Sequence, residues 1–225
     1  GTGGTAQSIG VLNGENDGGV FISSSRVEGS ISAQGAVGAF VGQATASGVN
    51  ILKSSTNMTI STTGAYAGGL IGKNGSSGLI DLSYSMGAVS STGNYAGGLL
   101  GSGVASSKVL NSYSFADVSG VNFVGGAVGL AEGSTSTTHK TSYASGAVSG
   151  TGADVGAFSG AGSAISNSDS FFNSDLTGQV SSDIGSALSN AQSLVSANYT
   201  NWDFNSTWTT FSNATYPRQL WQKWA

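Results

Sequence analysis

The chain has no cysteine, a single proline (Pro217) and a single histidine (His139) among its 225 residues. Lacking thiols, it holds no disulfide staple, so its stability must come from packing and backbone hydrogen bonds. One histidine and no cysteine also leave little from which to build a catalytic triad or a zinc site. His139 itself, in STSTTHKTSY, reads as a solvated corner. Charged side chains make up 8% of the chain, against a usual share of about 25%. The net charge is −4, and the seven basic residues are scattered singly. Nucleic-acid binding needs a basic stripe that displaces counterions from phosphates, and none is written here. Nor is there an apolar run of about 18 residues that could cross a bilayer as a helix, so membrane insertion is not expected. The opening GTGGTAQSIG lacks the charged start and apolar stretch of a signal peptide. It reads as the edge of a piece of a longer secreted polypeptide.

Abundant glycine (37 residues) with little charge can signal disorder. Here, though, 38% of the chain is hydrophobic, and Val, Ile, Tyr, Phe and Thr return at intervals. A seven-residue box recurs six times: SIGVLNG (8–14), AVGAFVG (36–42), YAGGLIG (66–72), YAGGLLG (95–101), FVGGAVG (123–129) and DVGAFSG (154–160). Its final glycines are spaced by 28, 30, 29, 28 and 31 residues. A period of this length marks a stacked repeat. After each box comes a half-motif with an apolar start, a Ser/Thr/Tyr middle and a short β-prone ending, as in LIDLSYSMGAVS (79–90) and VLNSYSFADVS (109–119).

Each unit therefore predicts about three short strands with Gly/Ser/Asn corners, and no helical periodicity. One unit fits one turn of an all-β solenoid of about six coils, coil stacked on coil at about 4.8 Å. A right-handed parallel β-helix is expected from the general handedness of β crossovers. Inward ladders would include Phe40, Leu70, Leu99, Ala127 and Phe158. The box glycines suit tight corners needing positive φ, or close backbone approach. A propeller blade would need about 40 residues, and collagen a glycine at every third position.

Beyond Gly178 the character changes, which divides the chain into repeats (1–178) and a capping segment (179–225). Residues 181–199 admit a short helix, and all four tryptophans follow: Trp202, Trp208, Trp221 and Trp224. A solenoid end exposes unpaired strand edges that must be covered. Tryptophans bury large areas while their N–H groups bond loose carbonyls. These four therefore read as a structural cap on the last coil, with a sugar-stacking platform as the rival reading.

The YAGGLIG box with its SYSxGAVSxTG half-motif resembles the GLUG repeats of large bacterial surface and secreted proteins. SDSFFNSDLTGQ (168–179), ALSNAQS (187–193), WDFNSTW (202–208) and YPRQLW (216–221) resemble the segment that closes such arrays. The similarity runs from residue 8 to residue 224 and departs from the pattern in the first unit, which lacks the second glycine. It implies an adhesin-like or filamentous-haemagglutinin-like protein at the bacterial surface or outside the cell, or a non-catalytic part of a secreted peptidase. Its partners would be glycans or proteins of cells and matrix.

Chemistry is thinly represented. No two acids share an equivalent position in neighbouring complete repeats, as a glycosidase pair set on adjacent coils would. No catalytic residue is assigned, and no cofactor is expected. The one metal candidate is a calcium site of oxygen donors, Asn167, Asp169, Asn173 and Asp175. Their alternative role is in polar turns leaving the last coil. Tyr84, Tyr113 and Tyr143 occupy one column of three successive half-motifs. Facing outward they would form a ligand-stacking strip; facing inward they would be core. Strand alternation permits both, because Val109 and Leu110 argue opposite phases, and core is the preferred reading. A regular threonine face would suggest ice binding, but the threonines are irregular. The leading expectation is a non-catalytic adhesive or structural module that binds through repeated weak contacts. A carbohydrate-active domain and an ice-binding surface are the alternatives.

Overall fold

In the computed structural model, residues 8–104, 106–132, 138–162, 169–211 and 214–222 are described. They form an all-β solenoid of about five turns in which each complete turn gives one segment to each of four parallel sheets, with a separate antiparallel pair, Trp208–Thr209 and Arg218–Gln219, in the C-terminal segment. In the third turn these segments are Ala67–Gly68, Ile71–Asn74, Leu79–Asp81 and Tyr84–Ser91. The box itself supplies two strands, because it bends over Gly69 and Leu70. That bend is why a turn holds four segments where the sequence pattern suggests three. Successive turns pair in strict register: Ile71 lies beside Val41 and Leu100, and Ile80 beside Ile51 and Val109.

Glycine recurs in the box because backbone passes too close to backbone for a side chain. A Cβ on Gly97 would sit 2.1 Å from the carbonyl oxygen of Leu100 and 2.6 Å from the amide of Gly129. Gly68, Gly125 and Gly156 meet the same obstacle. Positive φ, the other role foreseen for these glycines, falls instead on residues with side chains. Tyr95 (66°), Phe123 (54°) and Asp154 (59°) carry it at one corner, and Lys53 (47°), Leu82 (49°), Asn111 (44°) and Thr141 (49°) at another.

The second of these corners is held by serine. Ser54, Ser83, Ser112 and Ser142 follow the left-handed residue in successive turns, and all are buried. Each hydroxyl donates to the carbonyl two residues back, as Ser83 does to Asp81 at 2.8 Å and Ser142 to Lys140 at 2.8 Å. Each also accepts from the backbone N–H of its counterpart in the preceding turn. The Ser54 N–H reaches the Ser83 hydroxyl, that of Ser83 the Ser112 hydroxyl and that of Ser112 the Ser142 hydroxyl, all at 3.1 Å. A buried amide that the strand ladder cannot serve at the bend is thereby satisfied.

The interior is filled by stacked like residues. Phe40, Leu70, Leu99, Ala127 and Phe158 are buried in one cluster with Ile51, Ile80 and Val109. His139 departs from its expected place at a solvated corner. It lies in the strand Thr138–Lys140 opposite Val109, in the inward column of Ile22, Ile51 and Ile80, and is 1% exposed. Strand alternation puts its ring inside because its neighbours Thr138 and Lys140 take the outward positions.

The C-terminal segment does two things. Its first part closes the end of the coil. The backbone carbonyl of Ser181 accepts from Ala157, the Ser182 hydroxyl from Phe158 and Ser159, and the Asp183 carboxylate from Gly162. Ile184 seals the core above them, and Ser186–Leu188 adds a parallel strand to Phe171–Asn173. Short helices follow at Asn190–Ser193, with a Ser189/Gln192 capping box, and at Ser196–Asn198. Its remainder turns back along the flank of the solenoid, past the last coil. Gln219, entirely buried, reaches the carbonyls of Asn111 and Ser83 in earlier turns.

Candidate functional site

The Tyr84–Tyr113–Tyr143 column is built by register. Tyr84 pairs with Tyr113, Tyr113 with Tyr143, and Tyr143 with Phe171. Tyr84 and Tyr113 stack with centroids 4.8 Å apart, and Tyr113 and Tyr143 with centroids 5.1 Å apart. The rings point away from the solenoid interior, because the alternate residues Ser85 and Ala144 point into it. Tyr113 and Tyr143 are core, as favoured, but the core they join lies outside the coil, and the flanking Ser85 and Ala144 are the residues that point inward. Nor do they form an open strip, because the C-terminal segment covers the column. Tyr113 and Tyr143 are 1% and 2% exposed, clustered with Tyr199, Trp202 and Trp208. The Tyr143 hydroxyl donates to the Pro217 carbonyl at 2.6 Å, and the Tyr113 oxygen accepts from Gln222 at 2.6 Å. Burial holds both phenols well above their ordinary pKa.

The tryptophans divide by task. Trp208 is entirely buried, its ring 4.2 Å from that of Trp202, whose indole N–H donates to the Asp169 carbonyl at 2.7 Å. Trp221 is half-buried beside Tyr84, with centroids 6.1 Å apart. Trp224 lies outside the described residues, as does Asn167 of the calcium candidate.

The other three donors of that candidate are spent locally. Asn173 caps the helix Ser174–Thr177 by accepting from Asp175 and Leu176. Asp175 accepts from the Asn190 amide at 2.7 Å, and Asp169 from the Asn201 side chain at 3.0 Å. Among the described residues no three acidic or histidine side chains gather as a metal site.

A second ring column lies at the box corner. Tyr66, Tyr95 and Phe123, the first residues of three successive boxes, stack at 4.9 and 5.0 Å with planes within 10°. All three are half-buried, and among the described residues they stand apart from the capped aromatic cluster. The Lys73 ammonium lies 4.7 Å from the Tyr66 ring centroid, a cation–π contact. Partial burial, then the neighbouring Tyr66 and Glu132, push the Tyr95 phenol upward. The box alignment displays these rings at their shared first position, but the box reads there as a corner and the half-motif tyrosines draw the attention.

Where the buried column ends, toward the N-terminus, a groove of about 520 Å³ opens. Ser55 and Arg26 occupy the next two positions of the column beyond Tyr84. Small Ser55 supplies no ring, so the outer face of Tyr84 looks onto the groove. Lys53, Ser24, Ser25, Trp221 and Gln222 line the rest of it.

The carboxylates are dispersed in local bonds. Asp81 accepts from Asn111, Asp117 from the Ala147 amide and Asp203 from the turn it closes. Five Asn-x-Ser/Thr sequences, at Asn57, Asn74, Asn198, Asn205 and Asn213, match the acceptor pattern for N-glycosylation; Asn74 is buried and bonded to Ser107 at 3.0 Å, whereas Asn57 and Asn205 are exposed. Comparison of the chain with protein-family models, with curated proteins and with solved structures finds no match in any of the three.

Proposed function

We propose that this chain is a non-catalytic adhesive and structural module of a secreted or surface-displayed bacterial protein, contacting glycans or proteins of cells and matrix. The observation that carries this reading is the column Tyr66–Tyr95–Phe123, outside the capped aromatic cluster of the described residues, which repeats an aromatic ring at one strand spacing along the solenoid. Face-to-face packing leaves ring edges and the two phenol groups toward solvent. Among the described residues neither Tyr66 nor Tyr95 makes a side-chain hydrogen bond. Such a strip offers several weak, equivalent contacts to an extended partner, and their sum gives avidity. The resemblance to GLUG repeats supports the same reading.

The carbohydrate-active alternative draws less support, because the carboxylates above hold local turns and neighbouring amides and do not converge. For ice binding, one outward column is Ser32, Ser61, Ser90, Ser119 and Ser149, without the methyl groups that a threonine rank would supply, and the neighbouring column Ser30, Thr59, Ala88 and Asp117 holds a single threonine.

The test is a screen of the chain against arrayed glycans and immobilised matrix proteins, with a Tyr66→Ser/Tyr95→Asn/Phe123→Asn variant alongside. Asparagine is chosen because it tolerates the positive φ at residues 95 and 123. Binding by the wild type that is lost in the folded variant supports the reading. Absence of binding by the wild type overturns it.

A further inference from the structure

We infer that the groove beside Tyr84 is a binding site for a single pyranose ring carrying an anionic group, a carboxylate or a sulfate. The inference deepens the adhesive reading with a site outside the Tyr66 column.

The buried tyrosine column shows what belongs in the groove. From Tyr143 to Tyr113 to Tyr84 each position carries a ring, stacked at 5.1 and 4.8 Å. At the next position, Ser55, the ring is missing while the backbone register continues unchanged. The groove lies at this rung, lined by the Tyr84 ring and by Ser55, which is itself buried. Two strand spacings above Tyr84, at roughly 9.6 Å, the column resumes with Arg26. A ring-shaped ligand placed on Tyr84 would continue the stack and lie beneath the guanidinium. A pyranose suits this place better than an aromatic ligand because the remaining wall is polar, formed by Ser24, Ser25, Ser55 and the Gln222 amide. Trp221, tilted 37° to Tyr84, closes one side with an apolar surface.

Charge selects within the sugars. The chain carries seven basic residues and a net charge of −4, yet two of the seven, Arg26 and Lys53, line this one groove. Arg26 bonds Glu28, an exposed pair that is the only ion pair among the described residues. Lys53 is exposed and makes none. An anionic substituent would pair with Lys53 and share Arg26, while Glu28 disfavours anions that approach from its own side. Trp221 and Gln222 come from the C-terminal segment, so the groove is complete only when that segment lies along the flank.

The experiment is calorimetric titration of the intact chain with a galacturonate tetrasaccharide, its methyl ester and a sulfated galactan tetrasaccharide. Three variants accompany it: Lys53→Asn, Arg26→Gln and Ser55→Tyr. Ser55→Tyr supplies the missing rung and should fill the site; its melting curve checks that the fold persists. Binding of either acidic sugar, weakened about tenfold or more by Lys53→Asn and abolished by Ser55→Tyr, is expected. Preference between the carboxylated and sulfated probes then tells which anion the groove accepts. Equal binding of the methyl ester would overturn the anionic assignment. Failure of both acidic sugars to bind, or binding untouched by Ser55→Tyr and Lys53→Asn, would overturn the site. The Tyr66 column is judged separately, because array binding that persists in Ser55→Tyr but disappears in the Tyr66/Tyr95/Phe123 variant upholds the adhesive reading without the groove.

Discussion

Tyr84 and Tyr113, 29 residues apart in sequence, lie face to face with ring centroids 4.8 Å apart and planes 1° from parallel. That spacing is the inter-strand distance of the parallel sheet beneath them, so the repeat period is written directly into ring geometry. Their fates differ because the C-terminal segment reaches Tyr113 and stops at the edge of Tyr84. One ring is core, and the other is half-open.

Tyr143 ties that segment down through its hydroxyl bond to the Pro217 carbonyl. Tyr143→Phe keeps the stack but leaves a buried carbonyl without its donor. A loss of about 1–3 kcal/mol is expected from denaturant unfolding. Limited proteolysis should cut within 199–222 sooner than in the wild type. An unchanged proteolysis pattern would mean that the flank is held without this bond, by the tryptophans and by Gln219 and Gln222.

Gly97→Ala places a methyl carbon where the Leu100 carbonyl and the Gly129 amide already stand. Neither backbone group can move without breaking register with the next turn. Destabilisation of about 3 kcal/mol or more is expected from thermal or urea unfolding. Gly19→Ala is the control, because a Cβ there meets nothing within 4 Å.

Ser112→Ala removes one rung of the serine ladder. The Ser83 amide loses its acceptor, and the Leu110 carbonyl loses a donor. The cost should be about 1–3 kcal/mol, as for a buried donor left unsatisfied. Amide hydrogen exchange at Ser83 should accelerate more than at Ser54, whose own acceptor Ser83 remains in place.

Stability should fall at both ends of the pH scale, for different reasons. Burial pushes the His139 imidazole down from 6.5 to about 4. The unfolded chain therefore takes up a proton below about pH 6.5 that the folded chain refuses. This contribution is fully present above pH 6.5 and is lost as the pH falls toward 4, by about 3 kcal/mol in all. His139→Val, matching Val109 in the neighbouring turn, should remove that limb of the urea-midpoint profile. In base, burial raises the phenols of Tyr113, Tyr143 and Tyr199 above the ordinary 10.0. The unfolded chain then releases protons that the folded chain keeps, so stability holds up to about pH 10. Above that it should drop by about 1.4 kcal/mol per pH unit for each tyrosine. A profile that stays flat from pH 4 to pH 11 would contradict both placements.

The fold is legible in the sequence because a solenoid repeats its constraints. Each box glycine stands where backbone crowds backbone, so the spacing of Gly42, Gly72, Gly101 and Gly129 reports the turn length itself. Strand alternation also fixes Phe40, Leu70 and Leu99 as core. What the pattern hides is tertiary. Nothing local to SYS or SYA tells that Tyr199, Trp202, Trp208 and Pro217 return to cover Tyr113 and Tyr143, so these rings are core, but in a core that lies outside the coil. His139 looks solvated beside Ser, Thr and Lys, and only its pairing with Val109 places it inside. The groove depends on an absence, Ser55 where the column elsewhere carries a tyrosine, and on Trp221, which lies 137 residues from Tyr84.

The most direct measurement is the affinity of oligosaccharides of increasing length, cut from the strongest binder on the glycan array, for the wild type and for the Tyr66→Ser/Tyr95→Asn/Phe123→Asn variant. Repeated contact along one column requires affinity to rise with each added sugar until the three rings are spanned, and to stay low at every length in the variant. Affinity that is independent of both length and ring column, or binding of neither a glycan nor a matrix protein, would contradict the proposal that this solenoid adheres through its repeats.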